Sequence, residues 1–154
     1  MDFDFTDDQR ELRELAAKIF ADMADHAQQR RVETEGEDPR FDKKLWSALA
    51  GAGLLGLSLP EGQGGAGLGF LETCIVIEEA GRAAAPVPFT AATVFGAMPV
   101  ARFAGEQAAR RWLPRAANGE AILTASLGGV VGDPLRPPAT ATPGEGPGRW
   151  RLDG

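Results

Sequence analysis

The chain has 154 residues, 44% of them hydrophobic, enough apolar material for one globular unit, or one unit and a piece of another. Its formal charge of −6 gives no field that attracts polyanions, which argues against nucleic acid as a partner, and one cysteine (Cys74) with one histidine (His26) excludes an internal disulfide and a His/Cys metal cluster. The acidic start, MDFDFTDDQ, has no basic or apolar leader features, and no apolar run reaches membrane-spanning length, so the chain reads as soluble and cytoplasmic, with no membrane partner.

Thr6 and Gln9 form a T-x-x-Q capping box, and Leu12, Leu15, Ala16, Ile19, Phe20 and Met23 follow at three- and four-residue steps. That spacing predicts a helix with one buried face. His26 extends the stripe to the end of this helix, where an imidazole tied to the terminus is structural rather than a ligand or base; it is given no catalytic role. From Arg30 to Pro39 the polar sequence RRVETEGEDP predicts an exposed connection. Asp42 then caps a short helix through Leu45, Trp46, Leu49 and Ala50, with Gly51 or Gly53 as its left-handed terminator.

The stretch from Leu54 to Arg82 organises the rest. It starts apolar, stops at Pro60, crosses a loop with glycine at 62, 64, 65, 67 and 69, and resumes as a helix with apolar Leu71, Cys74, Ile75 and Ile77. Glycine at that density marks a backbone that takes positive φ or lies close against another segment. A packed helix follows at once, which argues against a flexible linker.

Beyond Arg82, Pro86 and Pro88 mark a break, Thr90 starts a helix through Val94, Phe95 and Met98, and Pro99 interrupts or kinks it. Gly105 precedes a helix from Glu106 to Ala117 that turns Trp112 and Leu113 inward and ends at Asn118-Gly119. At Glu120 the period changes: AILTASL reads as a strand, and Ala139 to Thr142 and Arg149 to Leu152 as further strand pieces. Asp153-Gly154 is a hairpin turn signal. Either the last third is a flexible tail or a β domain is cut off in its first strands, and a strand pattern joined to its turn favours the second.

Several local patterns point less far than they first suggest. Gly62, Gly64 and Gly67 satisfy G-x-G-x-x-G, but Pro60-Glu61 separates them from any strand, helices precede them, and no second strand ending in an acidic residue follows, so a dinucleotide site is not supported. Glu78 and Glu79 are helix neighbours that point about 100° apart and cannot flank one bond, whereas Glu78 with Arg82 forms an i,i+4 pair. Arg110, Arg111 and Arg115 read as a solvated helix face.

Taken in order, FTDDQRELRELA, WSALAGAGLLGLSLPEGQGGAGLG, VIEEAGR and FAGEQAARRWLPRAANGE closely resemble the N-terminal part of the acyl-CoA dehydrogenases, over essentially the whole chain. The most specific parts are the loop Pro60 to Gly67, the run Glu78 to Arg82, and Leu113-Pro114 with Gly119-Glu120. The resemblance implies a mainly α fold: a helical N-terminal domain over 1–118, then the first strands of a truncated β-barrel-like domain over 119–154. It also implies an FAD enzyme that oxidises the Cα–Cβ bond of an acyl-CoA thioester, an electron-transfer flavoprotein-type acceptor, and a homo- or hetero-tetramer. The family's catalytic carboxylate lies in a C-terminal domain, so no residue here matches it. The alternative is a cofactor-poor, non-catalytic subunit or interaction module.

On the same resemblance the helix matching Thr90 to Met98 lines the acyl pocket, with Thr93, Val94, Ala97 and Met98 as contacts, although such a pattern also serves an ordinary core helix. Aligned without gaps, the family's Thr-Glu-Pro-Gly-x-Gly-Ser-Asp motif falls on Gly128 to Leu135. Gly128 then stands where a threonine usually meets the flavin ring, and Pro134 where a serine usually meets the pyrophosphate. Ala125 and Leu127 match main-chain flavin contacts, which do not depend on residue type. A one-gap alternative places Thr124 at the threonine but breaks the register with Gly119-Glu120.

Overall fold

The computed structural model describes residues 4–24, 26–34, 41–126 and 139–153. Residues up to Thr124 form one compact unit and those from Ala125 onward a second. Among the described residues the first unit holds α1 (Asp7–Met23), α2 (His26–Thr34), α3 (Lys43–Gly51), α4 (Phe70–Arg82), α5 (Phe89–Ala92), α6 (Met98–Phe103) and α7 (Glu106–Ala117). Two 3-10 turns, Leu54–Gly56 and Glu61–Gln63, lie between α3 and α4, and a π turn, Thr93–Ala97, joins α5 directly to α6. In the second unit β1 (Thr140–Pro143) pairs antiparallel with β2 (Trp150–Asp153), Ala141 opposite Leu152 and Pro143 opposite Trp150. This is the mainly helical architecture with opening strands that the sequence predicts.

The capping box at the start of α1 forms as expected: Thr6 Oγ1 accepts from Gln9 N–H at 3.2 Å, and Gln9 Oε1 accepts from Thr6 N–H at 3.1 Å. Ala16 and Phe20 are fully buried, but Leu15 lies at the edge of the stripe and is 44% exposed. The helix does not reach His26. Ala24 leaves helical space at φ −97°, ψ 73°, and His26 opens a separate helix that runs to Thr34, over residues expected to be a connection. That polar helix is anchored by Gln29, whose Nε2 donates to Ala83 O at 2.8 Å, satisfying a carbonyl at the end of α4.

Asp42 is the N-cap of α3, its buried carboxylate accepting from the N–H groups of Lys44 (2.8 Å) and Leu45 (3.0 Å). Gly53, at φ 73°, makes the left-handed exit. From there the chain threads two apolar clusters. Leu54, Leu55 and Leu57 join Ala16, Phe20, Leu45, Leu49, Val76 and Phe89 in the first, and Leu59 enters the second with Ala97, Ala109, Leu113, Ala116 and Ala117. Each fully buried leucine or phenylalanine contributes roughly 1.5–3 kcal/mol.

The glycine loop is packed against backbone. Gly65 N–H donates to Pro60 O, Ala66 N–H to Gly56 O, Gly67 N–H to Leu59 O and Leu68 N–H to Leu57 O, at 2.8–3.1 Å, so residues 65–68 run back along 56–60. A Cβ on Gly65 would stand 2.1 Å from Leu59 O, and Gly64 takes φ +84° with Pro114 Cα 3.4 Å from its Cβ position. No dinucleotide-type strand precedes the loop; LGLSL is a 3-10 turn followed by a bend.

In α4 the buried face is Thr73, Ile75, Val76 and Glu79, whereas the apolar Leu71 is 50% exposed on the first turn. The helix predicted over Thr90 to Met98 continues through Pro99 to Phe103. Pro99 has no N–H and its ring crowds the carbonyl four residues back; widening Thr93–Ala97 to a π turn, with Met98 N–H donating to Thr93 O, relieves that crowding. α7 ends as predicted at Asn118-Gly119, with Gly119 at φ +74° and its carbonyl accepting from Trp46 Nε1 at 3.1 Å. Leu113 is fully buried, but Trp112 is only half-buried, beneath the guanidinium groups of Arg111 and Arg115. Residues 121–124 keep the predicted period of two, Ala121 and Leu123 half-buried and Ile122 and Thr124 exposed, yet form no strand, because no described segment pairs with them.

Gly65→Val should lower the thermal midpoint by several degrees, since displacing Leu59 costs ~1–3 kcal/mol. Gly62→Ala, with nothing within 4 Å of the added methyl, is the contrast. It should stay within about 0.5 kcal/mol of the parent chain in the same melt.

Candidate functional site

The π turn and α6 form one wall of an apolar groove of about 330 Å³, lined by Ser58, Pro60, Val94, Met98, Pro99, Ala101, Arg102 and Phe103. Of the four residues proposed from sequence to meet an acyl chain, Val94 and Met98 line this groove. Thr93 and Ala97 are buried: Thr93 Oγ1 donates to Phe89 O at 2.8 Å, and Ala97 packs in the second cluster against Leu59 and Leu113. Phe103, on the groove wall, is 79% exposed and carries the Arg102 guanidinium 5.6 Å from its ring centroid. Sequence reading passed over Arg102 and Phe103. It also passed over Gly96, whose position inside a helical pattern was the available signal.

On the far side of the unit α1 and α4 are joined by charge. Arg13 donates from Nε to Glu79 at 2.8 Å and from Nη2 to Glu78 at 2.9 Å, and Arg82 reaches Glu78 at 2.6 Å and Glu79 at 3.4 Å. The i,i+4 pair is therefore present. The two adjacent carboxylates also converge, on an arginine from another helix that local spacing alone does not reveal. The Arg82 hydrogen bond, aided by the charges of Arg13 and Arg82, holds the Glu78 carboxyl below its ordinary value, and the hydrogen bond from Gln9 does the same for Glu72. Arg82 is pushed up by the same bond. In α7, Arg110 pairs with Glu106 while Arg111 and Arg115 stack on Trp112, an exposed helix face as predicted.

For the flavin, Ala125 is exposed, whereas Leu127 and Gly128, with the rest of the Gly128 to Leu135 motif, lie outside the described residues. The main-chain N–H and C=O groups of 122–126 form no hydrogen bond with any described residue. Thr124, Ala125 and Ser126 are exposed, so their main-chain groups are open to water and equally to a ligand. Among the described residues no group of histidine, cysteine or acidic side chains could hold a metal, and no helix is long and apolar enough to cross a membrane.

The first unit is helical and bears an apolar groove, and the second holds a two-stranded β hairpin. Residues 6–120 match the model of the acyl-CoA dehydrogenase N-terminal domain, and the chain belongs to the acyl-CoA dehydrogenase family. It is 35% identical over 133 residues to acyl-CoA dehydrogenase FadE27 of Mycobacterium tuberculosis, covering 86% of this chain and 35% of that protein. Among solved structures, the Tcur3481-Tcur3483 steroid ACAD superposes with a TM-score of 0.84 at 43% identity, over 96% of this chain and 39% of that one. The ChsE4-ChsE5 complex of Mycobacterium tuberculosis superposes with a TM-score of 0.83 at 34% identity, over 100% and 40%. The chain thus spans 35–40% of the length of these relatives.

Two tests follow from the charge network. Arg13→Met leaves the buried Glu79 with only its longer contact to Arg82 and should lower stability by about 1–3 kcal/mol in chemical denaturation. For pH, the folded-state values of Glu72 and Glu78 lie below 4.5, so their contribution is complete above that value and is lost as pH falls through the folded values. The thermal midpoint should accordingly drop on acidification below 4.5, and less steeply in a Glu78→Gln variant.

Proposed function

We propose that this chain supplies the helical domain (1–118) and the beginning of the β region (119–154) of an FAD-dependent acyl-CoA dehydrogenase, which oxidises the Cα–Cβ bond of an acyl-CoA thioester. The observation that carries this reading is the apolar groove along the π turn, in a chain that belongs to the family. Val94, Met98, Ala101 and Phe103 would take the hydrocarbon part of the acyl group out of water, worth ~0.8 kcal/mol per methylene buried. Thr93 and Ala97 would support that wall from within the core. The main chain at Ala125, Leu127 and Gly128 would hold the flavin ring. FAD, when bound, accepts the hydride lost from Cβ. An electron-transfer flavoprotein-type acceptor completes the reading, as the family resemblance implies. The likeness to a protein named as a steroid ACAD favours a bulky, polycyclic-type acyl group over a plain fatty one.

The finer part of the proposal is that this subunit holds FAD weakly by itself. Gly128 and Pro134 stand where the family uses threonine and serine, and losing two hydrogen bonds at ~0.5–1.5 kcal/mol each weakens binding by one to two decades. A partner chain would then supply contacts, or this subunit would serve as the cofactor-poor member of a hetero-oligomer. The likeness to the ChsE4-ChsE5 complex, itself an assembly of two proteins, supports a hetero-oligomeric arrangement.

Flavin stoichiometry, read by absorbance on protein made alone and co-produced with its partner, is the test: alone, it should fall well short of one FAD per chain. One tightly held FAD per chain without a partner would overturn the weak-binding proposal. For the groove, Val94→Phe in the active enzyme should shift preference toward shorter or slimmer acyl groups while leaving flavin content unchanged. An unaltered preference would leave this wall with a structural role alone.

A further inference from the structure

We propose that Gly96 is a positioning residue, whose missing side chain sets where the chain leaves the helical unit at Leu123-Thr124; for its functional meaning this rests on the reading that the following residues contact the flavin. Gly96 is buried in the middle of the π turn, and a Cβ there would stand 2.2 Å from Leu123 O, 2.3 Å from Leu123 C and 2.8 Å from Leu123 Cβ. Two of these atoms are backbone, so no rotamer change can make room. Glycine is unfavourable in a helix interior relative to alanine. Its presence is explained if the close approach itself is what the position provides.

The approach matters because little else fixes this segment. Glu120 and Ala121 N–H both donate to Arg115 O, at 2.8 and 3.1 Å, which ties the chain to the end of α7. From 122 to 126 no main-chain hydrogen bond to a described residue holds it. Leu123 is then located by two things: its side chain, half-buried against the cluster of Leu59, Ala97 and Leu113, and its carbonyl, pressed on the face of Gly96. Val94 and Met98, on and next to the same turn, line the groove. One short turn therefore forms the groove wall and bears the departing chain, so the offset between them is fixed by contact at Gly96 rather than by a hydrogen-bond ladder.

The test compares Gly96→Ala with Val76→Ala, a destabilising truncation in the other cluster, by amide exchange and backbone chemical shifts on the 154-residue chain. Gly96→Ala should raise exchange at the bonded N–H groups of Glu120 and Ala121 by roughly tenfold beyond any change in the helices and shift the backbone resonances of 122–124, while Val76→Ala should raise exchange broadly without singling out that segment. In the flavin-loaded protein, Gly96→Ala should also weaken FAD binding by about tenfold, read by fluorescence titration. Should Gly96→Ala fail to fold, Leu123→Ala removes the side-chain anchor and keeps the backbone contact with Gly96, so the shifts of 122–124 should stay close to the parent's, and their collapse to random-coil values with the helices intact would overturn the proposal. Exchange at Glu120 and Ala121 and shifts at 122–124 that match the parent chain, or that change no more than in Val76→Ala, would overturn the proposal. A parent protein that takes up no flavin with or without a partner would instead remove the flavin reading, and the exchange result would still decide the role of Gly96.

Discussion

The backbone of residues 65–68 lies against the backbone of 56–60 with no side chain between them, and most of the helical unit depends on that contact. A Cβ on Gly65 would fall 2.1 Å from Leu59 O, so only glycine lets the loop fold back and donate its N–H groups to Gly56, Leu57, Leu59 and Pro60. The reversal carries the chain from Leu57 in one cluster to Leu59 in the other and returns it to start α4. It also brings the chain against α7, where a Cβ on Gly56 would stand 3.1 Å from Ala117 Cβ. At that range an added methyl would press on its neighbour, and the α7 residue that meets the loop there is the small Ala117, also 3.8 Å from the Cβ position of Gly64.

Much of this was legible in the sequence, for identifiable reasons. The capping box at Thr6, the cap at Asp42, the exit at Gly53 and the stop at Asn118-Gly119 are set by local backbone chemistry, and local residues suffice to read them. Glycine density revealed that the loop is packed, and the i,i+4 spacing revealed the Glu78-Arg82 pair. The failures share a different character. α2 is polar, and its described anchor is a bond from Gln29 to the far end of α4; Arg13 meets Glu78 and Glu79 across 65 and 66 residues of chain. The 120–126 segment carries a strand's alternation, but a strand exists only with a partner, and periodicity cannot supply one.

The site was legible in outline only. Spacing located the helix of the groove but not its register: Val94 and Met98 reach the groove, whereas Thr93 turns its hydroxyl to Phe89 O and Ala97 enters the core. Residues four apart share a face, so Thr93 with Ala97 and Val94 with Met98 form two adjacent stripes, and only the second meets the groove. Pro99, read from sequence as interrupting or kinking the helix, does not end it. The helix instead absorbs it by widening into a π turn, which rotates the side chains that follow relative to an ideal helix. The same π turn gives Val94 to the groove and, through Gly96, meets Leu123 in the segment that follows Glu120.

The central physical claim, that the glycine reversal, although its residues lie at the surface, is held as firmly as the core, is tested most directly by native-state amide exchange at Ala66, Gly67 and Leu68. These N–H groups donate to Gly56, Leu59 and Leu57. If the reversal holds the two clusters together, all three should exchange only through openings as costly as those of the buried α4 and α7 positions Val76 and Leu113. Exchange at Ala66, Gly67 and Leu68 as fast as at the exposed turn residues Glu61 and Gly62 would contradict it.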